Sequence, residues 1–497
     1  MLEGRQVEKS IFQRRLIVFA NISCDRTTFG AHAFALRRLF FCSIHGGYST
    51  KSVRKCEIGL DTQVFFASIP GMSVVVAKFG GTSVANPERI KSVAQRIVSR
   101  KRAGDSVVAV VSAMGKTTDD LVALAGSISE SPDPREMDTL LSTGEMVSMS
   151  LLAMAVAELG EEAISLSGRQ IGLITDSVHG KASIREIHAD RIRVALSEGR
   201  IVIVAGFQGI DAAGDITTLG RGGSDTTAVA IAAGIKADVC EIYTDVAGVY
   251  TADPRIVPRA CKVDQISYEE MLEMAAGGAG VLHKRCIEFA RNFGVVIHCR
   301  SSFSDEPGTL VKEYDPTMEK AIVSGVAHDL SEAKFTIRDV PDTTGVAAKV
   351  FGAMADANLG VDMIIQNLSE NGHTDITFTS PKADIEKTTE VMDRIVRELG
   401  ARELLITDEV AKVSIIGAGM KVNSGVAAQM FRTLAEGGIN ISMISTSDIR
   451  TSVVIPAESA EEAVRLLHTA FGLDGAKVFE ETQLSAEELA AKANKGR

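Results

Sequence analysis

The sequence lacks any uninterrupted apolar stretch near the ~18 residues that a membrane-spanning helix needs. Basic residues are also fewer than acidic ones, 53 against 64, and the net charge of −11 argues against a nucleic-acid binder, because such proteins concentrate Lys and Arg to neutralise phosphates. The 7 cysteines are scattered and form no CxxC pair, which excludes a zinc knuckle and a disulfide scaffold. These absences predict a globular protein of the cytoplasm, with neither a membrane nor a nucleic acid as partner.

The first 71 residues differ in composition from the rest of the 497-residue chain. They hold ten Lys and Arg against five acidic residues, and no acidic residue lies between Arg26 and Cys56. An Arg- and Ser-rich, acid-poor segment is typical of an organelle transit peptide. We favour the alternative, a disordered extension or sequence ahead of a true start at Met72, because a predicted strand follows directly. Residues 1–71 are assigned no fold.

From Met72 onward, short runs of Val, Ile and Ala alternate with longer helical patterns. The segment 87–102 predicts a helix with apolar residues on one face, and 74–79, 107–112, 201–205 and 240–244 predict strands. Strands without polar alternation are covered on both faces. The alternation therefore predicts an α/β fold, a three-layer sandwich around a parallel or mixed sheet, over residues 72–312.

The rest of the chain contains an internal duplication. Residues 344–364 and 424–444, at a fixed offset of 80, are identical at eight of 21 positions, among them Gly345/Gly425 and Phe351/Phe431. Each copy predicts the order strand, helix, strand, strand, helix, strand, which is the ferredoxin-like βαββαβ pattern. We expect a linker over 313–333, one copy over 334–410, the second over 411–485, and a tail over 486–497.

Three glycine-containing segments follow predicted strands of the large domain. The sequence has no GxxxxGK[ST] motif and no GxGxxG after a strand, so the P-loop and Rossmann hypotheses lack support. In Lys78–Ser83 (KFGGTS), adjacent glycines let backbone N–H groups approach an anion beside a lysine. Many strand-to-helix turns carry Gly-Gly, however, so this segment alone does not decide between an anion site and a plain turn.

The segments 217–227 and 244–255 extend this pattern. In TTLGRGGSDTT, three glycines and Arg221 precede an Ala-rich helix, whose N-terminal N–H groups favour anions. The alternative is a plain turn with Ser224 or Asp225 as N-cap. We favour an anion site, because capping requires neither three glycines nor an arginine. In TDVAGVYTADPR, a nucleotide site and an ordinary loop both stay open.

Together these segments resemble aspartate kinases in order and spacing. The resemblance runs from about Met72 to Leu473, and it extends to SAMG at 112–115, LSTGE at 141–145 and GFQG at 206–209. Residues 345–455 resemble the family's two regulatory ACT domains, which the family interleaves. The resemblance implies an amino-acid kinase fold and transfer of the γ-phosphoryl group of MgATP to the β-carboxylate of L-aspartate, the first step of lysine, threonine and methionine synthesis.

The resemblance also implies roles for matching residues. Lys78 and Asp225 would be catalytic, with Lys78 stabilising the transferred group and Asp225 organising Lys78 and the metal. Nucleotide-binding positions would be Lys78, Gly80, Gly81, Ser83, Ser112, Thr244, Asp245, Tyr250 and Arg255. Positions around the aspartate substrate would be Thr118, Glu145, Phe207, Arg221, Gly222, Gly223, Ser224 and Asp225. ATP and Mg²⁺ are the implied cofactors, and no residue is assigned as a direct metal ligand.

The ACT pair implies regulation and assembly. Asp342, Gly345, Ala347, Gln366 and Asn367 match positions that hold an amino-acid effector in the family, which would be lysine, threonine or both. From Asp342 alone, a helix N-cap is an equal alternative. ACT units usually pair across subunits, so a homodimer or an α2β2 assembly is expected.

One position departs from the family's pattern: Gly280 stands where the family usually has a lysine that contacts the nucleotide. Lys284 nearby is a possible substitute. Two rival hypotheses follow. One is another amino-acid kinase, which the pairing of Glu145 with Arg221 disfavours because both groups suit a free α-amino acid. The other is an amino-acid-binding regulatory protein with an inactive kinase domain.

Overall fold

The computed structural model describes residues 73–314, 322–367, 372–423 and 425–475. The predicted extension 1–71 and tail 486–497 lie outside these residues. The described part contains a large α/β domain and two smaller α/β units, which confirms the predicted fold class.

The large domain follows the predicted alternation of strands and helices. Its strands are β1 (Val74–Phe79), β2 (Ser106–Val111), β3 (Ala163–Leu166), β4 (Leu173–Thr175), β5 (Ile184–Ile187), β6 (Ile201–Ala205), β7 (Gln208–Ile210), β8 (Ile216–Thr218), β9 (Val239–Thr244), β10 (Gln265–Ser267), β11 (Ile297–Ser301) and β12 (Thr309–Lys312). Its helices are α1 (Pro87–Arg102), α2 (Thr117–Ile128), α3 (Pro134–Glu158), α4 (Asp190–Ser197), α5 (Gly223–Ile235), α6 (Tyr268–Ala276) and α7 (Lys284–Phe293).

An eight-stranded mixed sheet in the order β10-β12-β11-β9-β1-β2-β6-β3 forms the middle layer. Apolar side chains of α1 and α3, such as Ile97 and Leu152, pack on one face, and those of α5, α6 and α7, such as Ile231, Met271 and Ile287, pack on the other. Strand β1 lies between β2 and β9 and runs parallel to both. The carboxyl ends of these three strands therefore meet at one edge of the sheet.

The large domain also contains a smaller four-stranded sheet in the order β5-β4-β7-β8. Strand β7 follows β6 after two residues, and β8 leads directly into the glycine-rich loop before α5. Phe207 therefore lies directly before β7, and Arg221 lies in the loop directly after β8.

Helix α3 is, among the described helices, the one whose length and composition alone would allow it to cross a membrane. It packs against the central sheet, and it buries the carboxyl groups of Asp138 and Glu145 inside the protein. Those contacts are typical of a core helix.

The two smaller units share one topology, as the duplication predicts. They contain β13 (Gly325–Asp329), β14 (Glu332–Pro341), α8 (Val346–Asp356), β15 (Ile364–Gln366), β16 (His373–Pro381), α9 (Ile385–Leu399), β17 (Glu403–Thr407), β18 (Val410–Ile416), α10 (Val426–Glu436), β19 (Met443–Thr446), β20 (Arg450–Pro456) and α11 (Ala460–Ala470). The equivalent helices α8 and α10 both start after a glycine in the left-handed region, with φ of 97° at Gly345 and 104° at Gly425.

The connection between the units corrects the predicted boundaries. The first unit has the strand order β15-β16-β14-β17, and the second has β19-β20-β18-β13. Strand β13, which lies inside the predicted linker 313–333, therefore occupies in the second unit the edge that β17 occupies in the first. The first unit is inserted between β13 and β18. The family resemblance implied interleaved units, but sequence order alone does not place β13, because its position depends on antiparallel pairing with the distant β18.

A buried charge cluster ties the middle of the sheet to α1. The Glu241 carboxylate on β9 is 2% exposed and lies 3.4 Å from Arg100 and 3.3 Å from Arg300. The Tyr243 hydroxyl donates to Glu241 at 3.0 Å, and the Tyr243 ring stacks on Phe79 with 4.8 Å between centroids. The cluster therefore joins β9 to α1, β1 and β11 near the carboxyl end of β9.

We expect Glu241→Gln to lower the free energy of unfolding by about 3 kcal/mol, because it leaves Arg300 without its carboxylate partner and Arg100 with Asp105 alone. Denaturant unfolding measures the change. The same substitution at the exposed Glu461 of α11, which pairs with Arg465, is the matched control and should have little effect. Equal effects of the two substitutions would contradict the buried-cluster interpretation.

Candidate active site

An open cleft of about 290 Å³ lies where β1, β2 and the start of α5 meet. Many of the residues predicted from the sequence line it together. The lining consists of Lys78, Gly81, Ser112, Ala113, Gly115, Thr118, Glu145, Phe207, Gly220, Arg221, Gly222, Gly223, Ser224 and Asp225. Segments from four distant parts of the sequence therefore converge on one cleft.

An ion pair forms the centre of this cleft. The Lys78 ammonium, on β1, lies 2.5 Å from the Asp225 carboxylate, in the first turn of α5. Both side chains are largely buried, at 12% and 13% exposure. The N-terminus of α5 adds backbone N–H groups and a partial positive charge at the same place. Asp225 thus holds the Lys78 ammonium in a fixed position, next to the partial positive charge of the helix N-terminus.

Two glycines are required by close approach of other chain segments. A Cβ at Gly81 would lie 2.8 Å from the Ala113 carbonyl oxygen, so the turn after β1 can only pass the end of β2 as glycine. At Gly222 the φ is +71°, and a Cβ would lie 2.3 Å from the His283 ring. The loops at both sides of the cleft therefore expose backbone rather than side chains.

The loop before α5 is not a simple capped turn. Helix α5 begins at Gly223, its N-cap residue is Gly222, and no side chain caps it. The alternative that Ser224 or Asp225 serves as N-cap is therefore wrong. Both residues lie in the first turn, on the cleft.

Two polar residues, the buried Asp138 and the half-buried Arg285, anchor this loop. The Asp138 carboxylate on α3 accepts hydrogen bonds from the Thr218 N–H and hydroxyl at 3.0 and 2.5 Å, and it contacts the His179 ring at 2.8 Å. The Arg285 guanidinium on α7 donates to the Leu219 carbonyl at 2.8 Å. Sequence reasoning missed both anchors. For Asp138, its position two helical turns before Glu145, on the same face, was an available signal.

Glu145 and Arg221 face the cleft with unused capacity to bind a ligand. Glu145 is 3% exposed, one carboxylate oxygen accepts from the Ala113 N–H at 3.0 Å, and the other has no hydrogen-bond partner among the described residues. Burial raises the Glu145 pKa to about 7. Arg221 is exposed and makes no ion pair within the described ranges. A carboxylate that lacks a cation and a free guanidinium suit the two charged ends of an amino acid.

Phe207 adopts a conformation that few non-glycine residues adopt. Its φ is +71°, and the Leu219 N–H donates to its carbonyl at 2.8 Å. The preceding residue must be small, because a Cβ at Gly206 would lie 2.8 Å from Ser224. Strained backbone of this kind concentrates at ligand sites.

The predicted nucleotide positions are only partly brought together. Thr244 ends β9 beside β1, at the same sheet edge as Lys78, whereas Tyr250 continues into a loop where it pairs with Lys262. Arg255 is 88% exposed and is held by Asp253 at 2.6 Å. Gly80, Thr244, Asp245, Tyr250 and Arg255 do not line the cleft.

Ser83, another predicted nucleotide position, also lies off the cleft. Its side chain is 2% exposed, and its hydroxyl lies 2.6 Å from that of Ser302 rather than on the cleft. The sequence also gave no sign that His283 packs against Gly222, where burial lowers its pKa.

The predicted effector positions converge at one end of the first small unit. Asp342, Gly345 and Ala347 lie between the end of β14 and the first turn of α8. Gln366 ends β15, which pairs antiparallel with β16, and Asn367 follows it. All five residues are exposed. Helix α8 has Gly345 as its N-cap residue and no side-chain cap, so the N-cap alternative for Asp342 is wrong.

Glu145→Gln should stabilise the ligand-free protein at pH 8 by roughly 2–3 kcal/mol, because the raised pKa means that the ionised carboxylate is disfavoured in the folded state. The stability of the protonated form is present below pH 4.5 and is lost as the pH rises through about 7, so the gain should vanish at pH 4.5. Thermal unfolding across this range measures it. Glu158→Gln, an exposed substitution on the same helix, should show no such pH dependence, and a pH-independent difference for Glu145→Gln would contradict the assignment.

Comparisons with known proteins agree with the geometry. Residues 73–301 match the amino acid kinase family, and residues 338–394 and 413–471 match the ACT domain. The chain is 56% identical over 409 residues to an aspartokinase of Mycolicibacterium smegmatis, covering 81% of this chain and 97% of the relative. It is 51% identical over 405 residues to an aspartokinase of Pseudomonas aeruginosa, covering 81% and 98%.

Solved structures show the same architecture. E. coli aspartokinase III in complex with aspartate and ADP aligns with a TM-score of 0.68 at 28% identity, covering 80% of this chain and 99% of that one. From its relatives and its two kinds of domain, the chain belongs to the aspartate kinase family.

Proposed function

We propose that this kinase transfers the γ-phosphoryl group of ATP to the β-carboxylate of L-aspartate, giving 4-phospho-L-aspartate, the first step of lysine, threonine and methionine biosynthesis in the cytoplasm. The observation that carries the proposal is the cleft itself. It holds the Lys78–Asp225 pair together with an unpaired buried carboxylate at Glu145 and a free guanidinium at Arg221. The related E. coli enzyme was solved with aspartate and ADP.

The acceptor needs no general base. A β-carboxylate has a pKa of about 4 and is already ionised near neutral pH. The barrier is electrostatic, because an anionic nucleophile must approach an anionic triphosphate. Lys78 and the N–H groups at the start of α5 would neutralise the transferred group, and Asp225 would hold Lys78 in position.

Arg221 and Glu145 would orient the acceptor. The planar fork of Arg221 would bind the α-carboxylate, and Glu145 would pair with the α-ammonium. The ammonium would also restore a counter-charge to the buried carboxylate, which favours its ionised form. Both contacts leave the β-carboxylate free to face Lys78.

Mg²⁺ is proposed to arrive with the nucleotide. No group of three or more His, Cys, Asp or Glu side chains within the described ranges forms a metal site. Asp225 is the carboxylate of the cleft beside the phosphate-binding backbone, and Mg²⁺ is commonly held by one or two carboxylates together with substrate phosphates.

Feedback regulation by lysine, threonine or both is proposed to act through the ACT units. E. coli aspartokinase III, solved with lysine and aspartate, aligns with a TM-score of 0.63 at 29% identity. The exposed cluster of Asp342, Gly345 and Gln366 would bind the effector. A homodimer or α2β2 assembly through the ACT units is the proposed oligomer.

Lys78→Ala should abolish aspartate-dependent release of ADP from MgATP, because no other fixed cation would replace the one beside Asp225. A coupled ADP assay measures turnover. Lys91→Ala, an exposed substitution on α1, is the control and should retain full activity. Undiminished turnover in Lys78→Ala would overturn the mechanism. No turnover in the unaltered protein, with tight binding of an amino-acid effector, would instead support an inactive kinase domain.

Gly280→Lys should lower the KM for ATP, because it restores the cation that the family usually carries there. A Cβ at Gly280 has open space around it, so the lysine requires no rearrangement. Lys284, the proposed substitute, starts α7 and is exposed. Initial rates against ATP concentration measure the effect. An unchanged KM in Gly280→Lys, together with a raised KM in Lys284→Ala, would show that Lys284 already serves the nucleotide.

A further inference from the structure

Thr251, in the loop that follows β9, makes two hydrogen bonds to the second ACT unit. The Thr251 carbonyl accepts from the Val326 N–H of β13 at 2.7 Å. Its hydroxyl lies 2.8 Å from the Nε2 atom of His468, on α11. Its N–H donates to the Cys261 carbonyl at 2.9 Å, and its hydroxyl oxygen accepts from the Cys261 N–H at 2.9 Å. All hydrogen-bonding groups of this residue are therefore used.

The bonds around His468 have one consistent direction. The His468 Nδ1 atom lies 2.8 Å from the Asp474 carboxylate, which can only accept, so Nδ1 carries the proton. In a neutral ring, Nε2 is then an acceptor, and the Thr251 hydroxyl donates to it. His468 is 0% exposed, so water does not compete for these bonds. Asp474 thus orients the ring, and the ring orients Thr251.

Apolar and backbone contacts continue the connection beyond Thr251. Ala252 and Val257 are buried in the same apolar cluster as Val413 and Val464 of the second ACT unit. The Arg465 side chain, also on α11, donates to the Ile256 carbonyl at 3.2 Å. The loop from 251 to 257 is therefore packed on α11 along its length.

We propose that His468 is a positioning residue for nucleotide binding: by holding Thr251, the second ACT unit sets the conformation of the 244–255 loop and with it the affinity for ATP. The proposal rests on the proposed kinase function and on the nucleotide-binding role that the family resemblance implies for that loop. Tyr250, a predicted nucleotide residue, is adjacent to Thr251, and its strand-like pairing with Lys262 lies next to the Thr251–Cys261 bonds. A change in the tilt of α11 would therefore move Thr251 and, with it, the adjacent Tyr250.

The test removes one hydroxyl without changing the size of the side chain. Thr251→Val should raise the KM for ATP about three- to tenfold, because it removes the hydroxyl that bonds to His468 and accepts from the Cys261 N–H, while kcat and the KM for aspartate stay unchanged. Thr251→Ser keeps the hydroxyl and should restore the KM for ATP. Thr388→Val is the matched control, because Thr388 on α9 is 0% exposed and its hydroxyl has no partner among the described residues.

A double substitution separates positioning from general destabilisation. His468→Leu alone should also raise the KM for ATP. Adding it to Thr251→Val should give no further increase, because Thr251→Val already removes the contact that His468→Leu breaks. A fall in thermal stability with an unchanged KM for ATP would overturn the proposal. So would an equal rise in the KM for ATP in Thr388→Val, or additive effects in the double variant.

Calorimetric titration with MgADP keeps this test independent of the reaction. ADP affinity should fall by the same factor in Thr251→Val as the KM for ATP rises. If the unaltered protein bound MgADP but did not phosphorylate aspartate, the proposed function would fail while the ADP comparison still decided the role of His468. Unchanged ADP affinity in Thr251→Val would reject that role whatever the turnover.

Discussion

The contact between Lys78 and Asp225 determines how the rest of the large domain must be arranged. A largely buried ammonium is costly unless a carboxylate lies within a few ångströms. The end of β1 and the first turn of α5 must therefore lie close together. Strand β1 lies in the middle of the sheet, between β2 and β9, and α5 packs against it. This arrangement also requires glycine at Gly222 and Gly81, where neighbouring segments leave no room for a side chain.

The residues that hold this arrangement together lie mostly outside the recognisable motifs. Asp138 and Arg285 clamp the glycine-rich loop from α3 and α7, and neither stands in a segment that sequence patterns single out. Glu241 does the same for the strands beneath the edge. Many motif residues line the cleft, whereas these residues restrict the motifs to one conformation. Both sets are needed for a preorganised site.

The sequence allowed the layered fold, the duplicated units and most cleft-lining residues to be predicted, since continuous apolar strands and glycine-rich turns reflect local physical requirements. It failed where the outcome depends on distant partners. Ser83 stands inside the KFGGTS motif, yet its hydroxyl is directed by Ser302, far along the chain. The pairing of β13 with β18 and the packing of His283 against Gly222 likewise arise from tertiary contacts that no local pattern encodes.

The insertion of the first ACT unit between β13 and β18 has a consequence for the order in which the two units fold. On the ribosome, β13 emerges before the whole first unit, but its partner β18 emerges only after that unit is complete. The first unit carries all four strands of its own sheet and is able to close on its own. The second unit cannot complete its sheet until β18 has been synthesised and can pair with β13. The inserted first unit therefore folds first, and the second unit folds last.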